Sequence, residues 1–308
     1  MKQTVVKLIY VLIVISSVLG LLTSYVALLL GFVFVLVFEN PFERYNQKAI
    51  PLLLKISVVG LGFGMFINET LQTTKEGFGL TVFTILLTLG LGIALTKLFK
   101  IDLKLGHLIT SGTAICGGSA IAAISPIIKA NNKIISMALV IVFLLNSIAL
   151  FLFPVLGHYF QLTQEQFGLW CAVAIHDTSS VVGATIDYGD EALRIATTVK
   201  LSRTLWIIPL SVVSLFVFKS PKKGLKFPLF ILAFIAAIVT NSYQVIPLEV
   251  SSFIVVCAKR LLIVTLFLVG TTISMADIKN TGSKPLWLGI VLWLFISVFS
   301  FFYIVYWS

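Results

Sequence analysis

Charged residues are scarce in this chain. Only 11% of its 308 residues are Asp, Glu, Lys or Arg, whereas 59% are hydrophobic, and the mean hydropathy is +1.09. An average soluble domain carries about 25% charged residues, and no polar stretch between the apolar runs is long enough to form such a domain. We therefore expect one integral membrane domain over residues 1–308, because the apolar runs are long enough to span a bilayer.

Several motifs of enzymes and cofactor sites are missing as well. The three cysteines, Cys116, Cys171 and Cys257, lie in apolar surroundings, which indicates neither disulfides nor a metal site. No Walker-type phosphate loop occurs. A thiol enzyme built on Cys116, His176 and Asp177 lacks the electropositive, accessible setting that a catalytic cysteine needs. We expect no enzymatic activity, no cofactor and no metal.

The net charge of +10 has a simple origin in a membrane protein. Cytoplasmic loops carry an excess of Lys and Arg, and no basic cluster here is interleaved with exposed aromatic residues. We therefore expect the lipid bilayer, rather than nucleic acid, as the macromolecular environment of the chain.

The apolar runs predict an all-α polytopic protein with about 9–11 transmembrane segments. The N-terminal run lacks a small-residue cleavage site and is interpreted as a retained first helix. Nine candidate spans lie near residues 5–19, 21–38, 50–67, 79–98, 134–155, 194–218, 227–242, 250–275 and 285–306.

Two further segments, 106–128 and 165–186, are apolar but interrupted. The first interruption contains Thr113, Cys116, Gly117, Gly118 and Ser119. The second contains His176, Asp177, Thr178, Ser179 and Ser180. A broken helix is tolerated in hydrocarbon only where protein or a watery cavity satisfies its backbone. Such breaks are typical of substrate sites in secondary transporters.

Loop charges predict how the interrupted segments lie. Two lysine clusters are expected in the cytoplasm, namely Lys97, Lys100 and Lys104, and Lys219, Lys222, Lys223 and Lys226. The loops 156–165 and 242–250 have no Lys or Arg, and 187–193 is acidic, so these three are expected outside. Re-entrant segments would keep Lys129 and Lys133 inside, whereas full crossing by discontinuous helices would move them out. The charges favour re-entrant segments, and full crossing stays open.

Weak internal similarity predicts repeats of opposite orientation. The stretch from Leu54 to Leu80 resembles Lys259 to Leu286 at an offset of about 205 residues, and Ser119 matches Ser179 at an offset of 60. Inverted repeats are how many transporter folds are built.

The interrupted segments and the helix after them supply the candidate site. Asp177 is expected to hold a coupling cation or proton, or to orient His176, and capping of the following half-helix is an alternative role. Lys200 and Arg203 lie one turn apart and suit an anion, although both could instead snorkel or pair with nearby carboxylates. The predicted substrate-binding residues are Thr113, Cys116, Gly117, Gly118, Ser119, His176, Thr178, Ser179, Ser180, Lys200 and Arg203.

Four motifs resemble the YeiH-type family of bacterial inner-membrane proteins, which is described as a sulfate exporter family. They are GTAICGGSAIAA at 112–123, PIIKA at 126–130, AIHD at 174–177 and KLSR at 200–203. The likeness covers residues 20–300. It implies a multi-pass protein of the bacterial inner membrane, related to bile acid, arsenite and cation/proton antiporter families with inverted repeats and elevator-like motion. After AIHD this chain has Thr178-Ser179-Ser180, where relatives are more variable, so the substrate preference can differ.

Residues and resemblance together predict a secondary transporter that exports a small oxyanion such as sulfate, sulfite or an organic sulfonate. The anion would bind between the two discontinuous segments near the membrane midplane. The alternative is a cation/proton antiporter centred on Asp177. A channel is disfavoured because the sparse polar residues do not form a continuous pore. Coupling to Na⁺ or H⁺ and assembly as a homodimer stay open.

Overall fold

The computed structural model describes residues 2–218, 229–272 and 282–307, and all regular structure in these ranges is α-helical. The helices are α1 Lys2–Leu19, α2 Ser24–Val37, α3 Glu43–Gly62, α4 Ile67–Leu98, α5 Leu103–Ala114, α6 Gly118–Ile124, α7 Asn132–Tyr159, α8 Gln164–Ala174, α9 Thr178–Ile186, α10 Asp190–Thr204, α11 Ile207–Val217, α12 Leu229–Ser242, α13 Leu248–Gly270 and α14 Ser283–Trp307.

Polar caps begin the helices that surround the interruptions. Asp102 accepts hydrogen bonds from two backbone N–H groups of α5, at 2.9 and 3.0 Å. Asn131 accepts one from Ile134 at the start of α7, and Thr163 with Gln166 forms a capping box on α8. Each cap satisfies N–H groups that a helix cannot bond internally, so these sequence positions fix where the helices start.

The prediction of an all-α polytopic protein is confirmed, and its count of spans is refined. Five helical stretches in the described ranges are long and apolar enough to cross a membrane: Thr70–Leu98, Lys133–Tyr159, Asp190–Val217, Leu248–Gly270 and Ser283–Tyr306. α1, α2 and α12 are apolar but shorter. The predicted span 194–218 is two helices, α10 and α11, that meet at Leu205 and Trp206. The second lysine cluster, 219–226, lies outside the described residues.

The first interrupted segment folds back on itself. We call residues 103–130, with α5 and α6, hairpin 1. Lys104 at the start of α5 donates from Nζ to the carbonyl oxygen of Lys129 at 2.9 Å, so both ends of hairpin 1 lie together. The reversal occurs at Gly117, whose φ of +60° favours glycine.

The second interrupted segment folds back in the same way. We call residues 162–189, with α8 and α9, hairpin 2. The hydroxyl of Tyr188 donates to the carbonyl oxygen of Leu162 at 2.8 Å, and the rings of Tyr188 and Phe167 stack with centroids 3.7 Å apart. The open ends of the two hairpins lie at opposite ends of α7, because hairpin 1 leads into its first turn and hairpin 2 follows its last.

Buried hydrophobic side chains divide the helices into two packing groups. The largest cluster comes mainly from α4–α11 and α14, which we call the hairpin group. A smaller cluster joins α1, α2 and α13, and we call α1–α3, α12 and α13 the scaffold group. Two further small clusters lie where α9 and α10 meet α3, α12 and α13. Lys259 of α13 and Asp190 of α10 form an ion pair across the same boundary.

The scaffold group contains two pairs of helices with matching bounds. α12 begins and ends 205 residues after α2, and α13 begins 205 residues after α3. α3 and α13 run antiparallel, since Gly60 faces Ala258 while Asn46 donates to Thr271 Oγ1 at 3.0 Å. α2 packs on α13 and α12 packs on α3, so the contacts are reciprocal.

If both hairpins fold back, the residues that flank each hairpin lie on the same face of the membrane. We therefore expect four exposed positions to be labelled in two pairs, one pair from each face. In a Cys257→Ser background, a membrane-impermeant maleimide should label Lys97→Cys and Lys133→Cys from one face. It should label Tyr159→Cys and Glu191→Cys only from the other. All four positions are exposed, and Cys116 and Cys171 are buried. Labelling of Lys97→Cys and Lys133→Cys from opposite faces would show instead that residues 103–130 cross the membrane.

Candidate functional site

The tips of the two hairpins touch each other. A methyl group added to Gly117 at the tip of hairpin 1 would lie 3.3 Å from Asp177 Cβ and 3.4 Å from the carbonyl carbon of His176. The tips meet because the hairpins come from opposite ends of α7. This contact brings together two sequence segments that are 60 residues apart.

A cavity of about 600 Å³ ends at this contact. Both tips form its inner end, with Cys116, Gly118 and Ser119 from hairpin 1 and Asp177, Thr178 and Ser179 from hairpin 2. Its walls come from α3, α7 and the end of α13, and it extends along α7 to Ser136. Ser136 lies close to the start of α7, so the cavity points toward the open end of hairpin 1.

Asp177 is the best-connected side chain at the tips. Its Oδ1 accepts hydrogen bonds from the hydroxyl of Ser179 at 2.8 Å and from the backbone N–H of Ser180 at 2.7 Å. Its Oδ2 accepts from the side-chain amide of Asn146. Asp177 is thus the N-cap of α9, the alternative role that its position also allowed, and it lines the cavity as well.

Asn146 of α7 holds hairpin 2 in place and was not among the predicted site residues. Its Oδ1 accepts from the backbone N–H of His176 at 2.9 Å, while its Nδ2 donates to Asp177. The side chain is only 1% exposed. A signal for it exists in the sequence, because an amide in the middle of the apolar run 134–155 is costly unless it is bonded.

The side chain of Lys200, on α10, bonds the carbonyl end of α8, the first half-helix of hairpin 2. Its Nζ donates to the carbonyl oxygens of Ile175 at 2.5 Å and Ala172 at 3.2 Å. These carbonyls lie at the C-terminal end of α8, where no helical N–H reaches them. The side chain is fully buried.

Arg203, one turn further along α10, bonds the carbonyl end of α5 in hairpin 1. Its Nη2 donates to the carbonyl oxygen of Ala114, the last residue of α5, at 2.6 Å, and its Nη1 donates to Thr84 Oγ1 at 2.9 Å. The guanidinium is fully buried too. α10 therefore supplies one cation to the carbonyl end of each broken helix, where the helix dipole favours positive charge.

The two cations leave the tips with an excess of positive charge. Within the described residues the salt bridges join Arg194 to Glu191 and Lys259 to Asp190, so neither buried cation has a carboxylate in direct contact. Asp177 is the acidic residue at the tips. Counted formally, Lys200, Arg203 and Asp177 together carry one net positive charge.

Some buried polar atoms near the breaks have no hydrogen-bond partner in the described part of the chain. Neither ring nitrogen of His176 has one, although the residue is fully buried. The same holds for Nε of Arg203 and the hydroxyl of Thr113. A buried donor without an acceptor costs free energy of folding. These groups are therefore available to donate hydrogen bonds to an acceptor that enters the interior behind the tips.

The predicted site residues fall into two sets. Cavity-lining residues are Cys116, Gly118, Ser119, Asp177, Thr178 and Ser179. Residues buried around the tips, outside that lining, are Thr113, Gly117, His176, Ser180, Lys200 and Arg203. Lys200 and Arg203 bond the carbonyl ends of α8 and α5 and lie outside the cavity lining, so direct contact of either side chain with a ligand stays a prediction. Snorkelling and pairing with carboxylates do not describe them.

The described residues offer no obvious metal centre. Among them, no group of three or more His, Cys, Asp or Glu side chains is arranged to hold a metal ion. The polar groups that line the cavity are hydroxyls, backbone groups, the thiol of Cys116 and the carboxyl group of Asp177.

Comparison with known proteins places the chain in a family. The profile of the family described as conserved hypothetical protein 698 matches residues 5–289. The chain belongs to this family. The match covers both hairpins and the Lys200 and Arg203 positions, and it agrees with the likeness to YeiH-type proteins.

Other members of the conserved hypothetical protein 698 family are similar along nearly the whole chain. A UPF0324 membrane protein of Photobacterium profundum is 48% identical over 286 residues, covering 93% of this chain and 88% of the relative. UPF0324 membrane proteins of Bacteroides thetaiotaomicron and Porphyromonas gingivalis are 46% and 48% identical, covering 92% and 91% of this chain and 86% of each relative. No solved structure matches the chain significantly. This is a multi-pass membrane protein, and its bacterial relatives fit an inner-membrane location.

Replacing Asn146 by leucine should loosen hairpin 2. Asn146→Leu removes the amide donor to Asp177 and leaves the buried N–H of His176 without its acceptor, a loss of roughly 1–3 kcal/mol. We expect a lower unfolding midpoint and faster alkylation of Cys116 in a Cys257→Ser background. The control is Ser147→Ala, since that hydroxyl bonds only within its own helix. Equal midpoints and equal Cys116 rates in both variants would contradict this role of Asn146.

Replacing Arg203 by lysine should weaken hairpin 1 although the charge is kept. A single ammonium lacks the planar fork that reaches Thr84 and Ala114 together, so Arg203→Lys should cost roughly 1–3 kcal/mol. Arg194→Lys, at a partly exposed surface ion pair, should change stability little. Thermal unfolding of the purified proteins measures both, and an Arg203→Lys variant as stable as Arg194→Lys would refute the bridging role.

Proposed function

We propose that the protein is a secondary transporter that binds a small oxyanion at the tips of the two hairpins. The observation that carries this proposal is the cavity that ends where the tips meet, lined by six of the predicted site residues. The hairpins enter from opposite ends of α7, so their contact lies about midway along the membrane-crossing direction. A site at that depth, open toward one side, is what alternating access requires.

The charges around the tips support the binding of an anion there. Lys200 and Arg203 outweigh Asp177 by one formal charge, and in a low-dielectric interior such an excess acts over several ångströms. Asp177 has both carboxylate oxygens bonded to donors, which spreads its negative charge over Asn146, Ser179 and Ser180. The ligand itself would be held by the hydroxyls of Ser119 and Thr178, and the two buried cations would act through the field and by positioning the hairpins.

The likeness to the YeiH-type family supports the choice of anion and the direction. That family is described as exporting sulfate, so sulfate, sulfite and organic sulfonates are the substrates to test, with export as the direction. No nucleotide-binding loop is present in the sequence, which supports transport driven by a gradient of the substrate or of a coupled Na⁺ or H⁺.

We further propose that the fold consists of inverted repeats and works by elevator-like motion. The breaks at 114–118 and 174–178 are 60 residues apart, and α2 with α3 matches α12 with α13 at 205 residues. The cavity lies between the hairpin group and the scaffold group, since α3 and α13 contribute walls. Movement of the hairpin group past the scaffold group would carry a bound anion across the membrane.

A cation/proton antiporter is the second candidate, and the carboxyl group of Asp177 at the cavity surface favours it. In that case Na⁺ or H⁺ would bind at Asp177 and compete with its bonds to Asn146 and Ser179. The two functions differ in which ion the purified protein binds.

We expect reconstituted protein to exchange labelled sulfate or sulfonate across proteoliposomes. Ser119→Ala should weaken anion binding about fivefold, the effect of losing a neutral hydrogen bond of about 1 kcal/mol. Ser147→Ala on α7, outside the cavity lining, is the matched control. Asp177→Asn should change the dependence on pH or Na⁺ more than the affinity for the anion. Binding of Na⁺ with no anion exchanged under any gradient would favour the antiporter over the proposed function.

A further inference from the structure

The walls of the cavity differ in character from its inner end. Hydroxyls, a thiol, a glycine and a carboxyl group surround the tips, whereas the walls are made almost entirely of hydrocarbon side chains. On α7 the wall residues follow one helical stripe, and its apolar members are Leu139, Val140, Phe143 and Leu144. The spacing of three and four residues shows that one face of α7 is dedicated to the cavity.

The opposite wall is equally apolar. α3 contributes Ile50, Pro51 and Leu54, and Val269 closes the side from α13. Away from the tips, Ser136 and Thr272 are the polar side chains of the lining. A cavity of about 600 Å³ is within the range of sites that bind small organic molecules and are lined predominantly by apolar groups.

An inorganic dianion does not suit this arrangement. Sulfate has no apolar surface to bury, so the hydrocarbon walls would only remove its water without replacing it. Its two charges also exceed the single formal positive charge that Lys200, Arg203 and Asp177 leave at the tips. An organic anion with one charge and an apolar body would match both the tips and the walls.

We propose that the substrate of the cavity is an amphipathic organic monoanion, such as an alkyl sulfonate, with its charged head at Ser119 and Thr178 and its hydrocarbon body between α3 and α7. This inference rests on the proposed anion transport and narrows it. The head occupies the tips because the positive excess and the free hydroxyls are there. The body lies along Leu139 and Phe143 because burying each methylene group is favourable.

A chain-length series tests the proposal. Methane-, propane-, butane- and hexanesulfonate are compared with sulfate, and with 1-alkanols of equal length, for binding to the full-length protein in lipid nanodiscs. Affinity for the sulfonates should rise about two- to fourfold with each added methylene, and butanesulfonate should bind more tightly than sulfate. The alkanols should bind far more weakly, because they lack the charged head.

Two wall variants and one control locate the hydrocarbon body. Phe143→Ala and, separately, Leu139→Ala should flatten the length dependence while methanesulfonate affinity stays the same. Phe83→Ala removes a half-exposed phenyl ring on α4, outside the cavity lining, and should leave the series unchanged. Since the series on the unaltered protein needs no substitution, poor folding of a variant does not remove the test.

The outcomes separate this inference from the proposed function. Sulfate and all sulfonates binding equally would overturn the amphipathic substrate and leave anion transport standing. Alkanols binding as tightly as sulfonates would overturn it too, because the walls would then be a groove for lipid tails. If no anion of any kind binds or is exchanged, the proposed function itself fails and the inference fails with it.

Discussion

Two helices that stop inside the protein leave carbonyl groups in its buried interior, and buried cations bond these groups. Lys200 bonds the end of α8 and Arg203 bonds the end of α5. Without these bonds the breaks would leave buried backbone carbonyls unsatisfied. Both cations come from α10, so one helix sets the position of both hairpins. The contact between the tips and the cavity that ends there depend on this arrangement.

The same bonds determine the electrical character of the site. A cation at a carbonyl end balances the helix dipole, yet its net charge stays in the protein interior. Asp177 compensates one of the two charges, and Asn146 and the start of α9 in turn hold Asp177. Under the proposed anion binding, structural support and ligand attraction would therefore come from the same residues. A change at Lys200 or Arg203 would then alter both together, whereas a change at Ser119 would alter mainly the proposed ligand contact.

The sequence predicts the breaks better than the roles of the residues around them. Glycines, hydroxyls and the His-Asp pair identify both interruptions, because their cost in hydrocarbon is a local property. The fold-back follows from loop charges at Lys104 and Lys129. The partners of Lys200 and Arg203 could not be predicted, since their acceptors are backbone carbonyls, which every residue carries. Asn146 was missed although an amide in the apolar run 134–155 is itself a signal, because the sequence does not show that this amide bonds His176 and Asp177. The split at Leu205 was missed although Pro209 signals it, because proline has no N–H to bond the carbonyl oxygen four residues earlier.

The ion pair between Lys259 and Asp190 makes only a weak contribution to the contact between the two groups of helices. It joins the scaffold group to the hairpin group at the start of α10, next to the open end of hairpin 2 and opposite the mouth of the cavity. The side chain of Asp190 is 85% exposed and that of Lys259 27% exposed, and pairs in such surroundings contribute only about 0–1 kcal/mol. Thermal fluctuations are enough to break the ion pair between Lys259 and Asp190. The attraction within a solvent-exposed pair also weakens as ionic strength rises, so under the proposed elevator motion salt would lower the free energy needed to part the two groups.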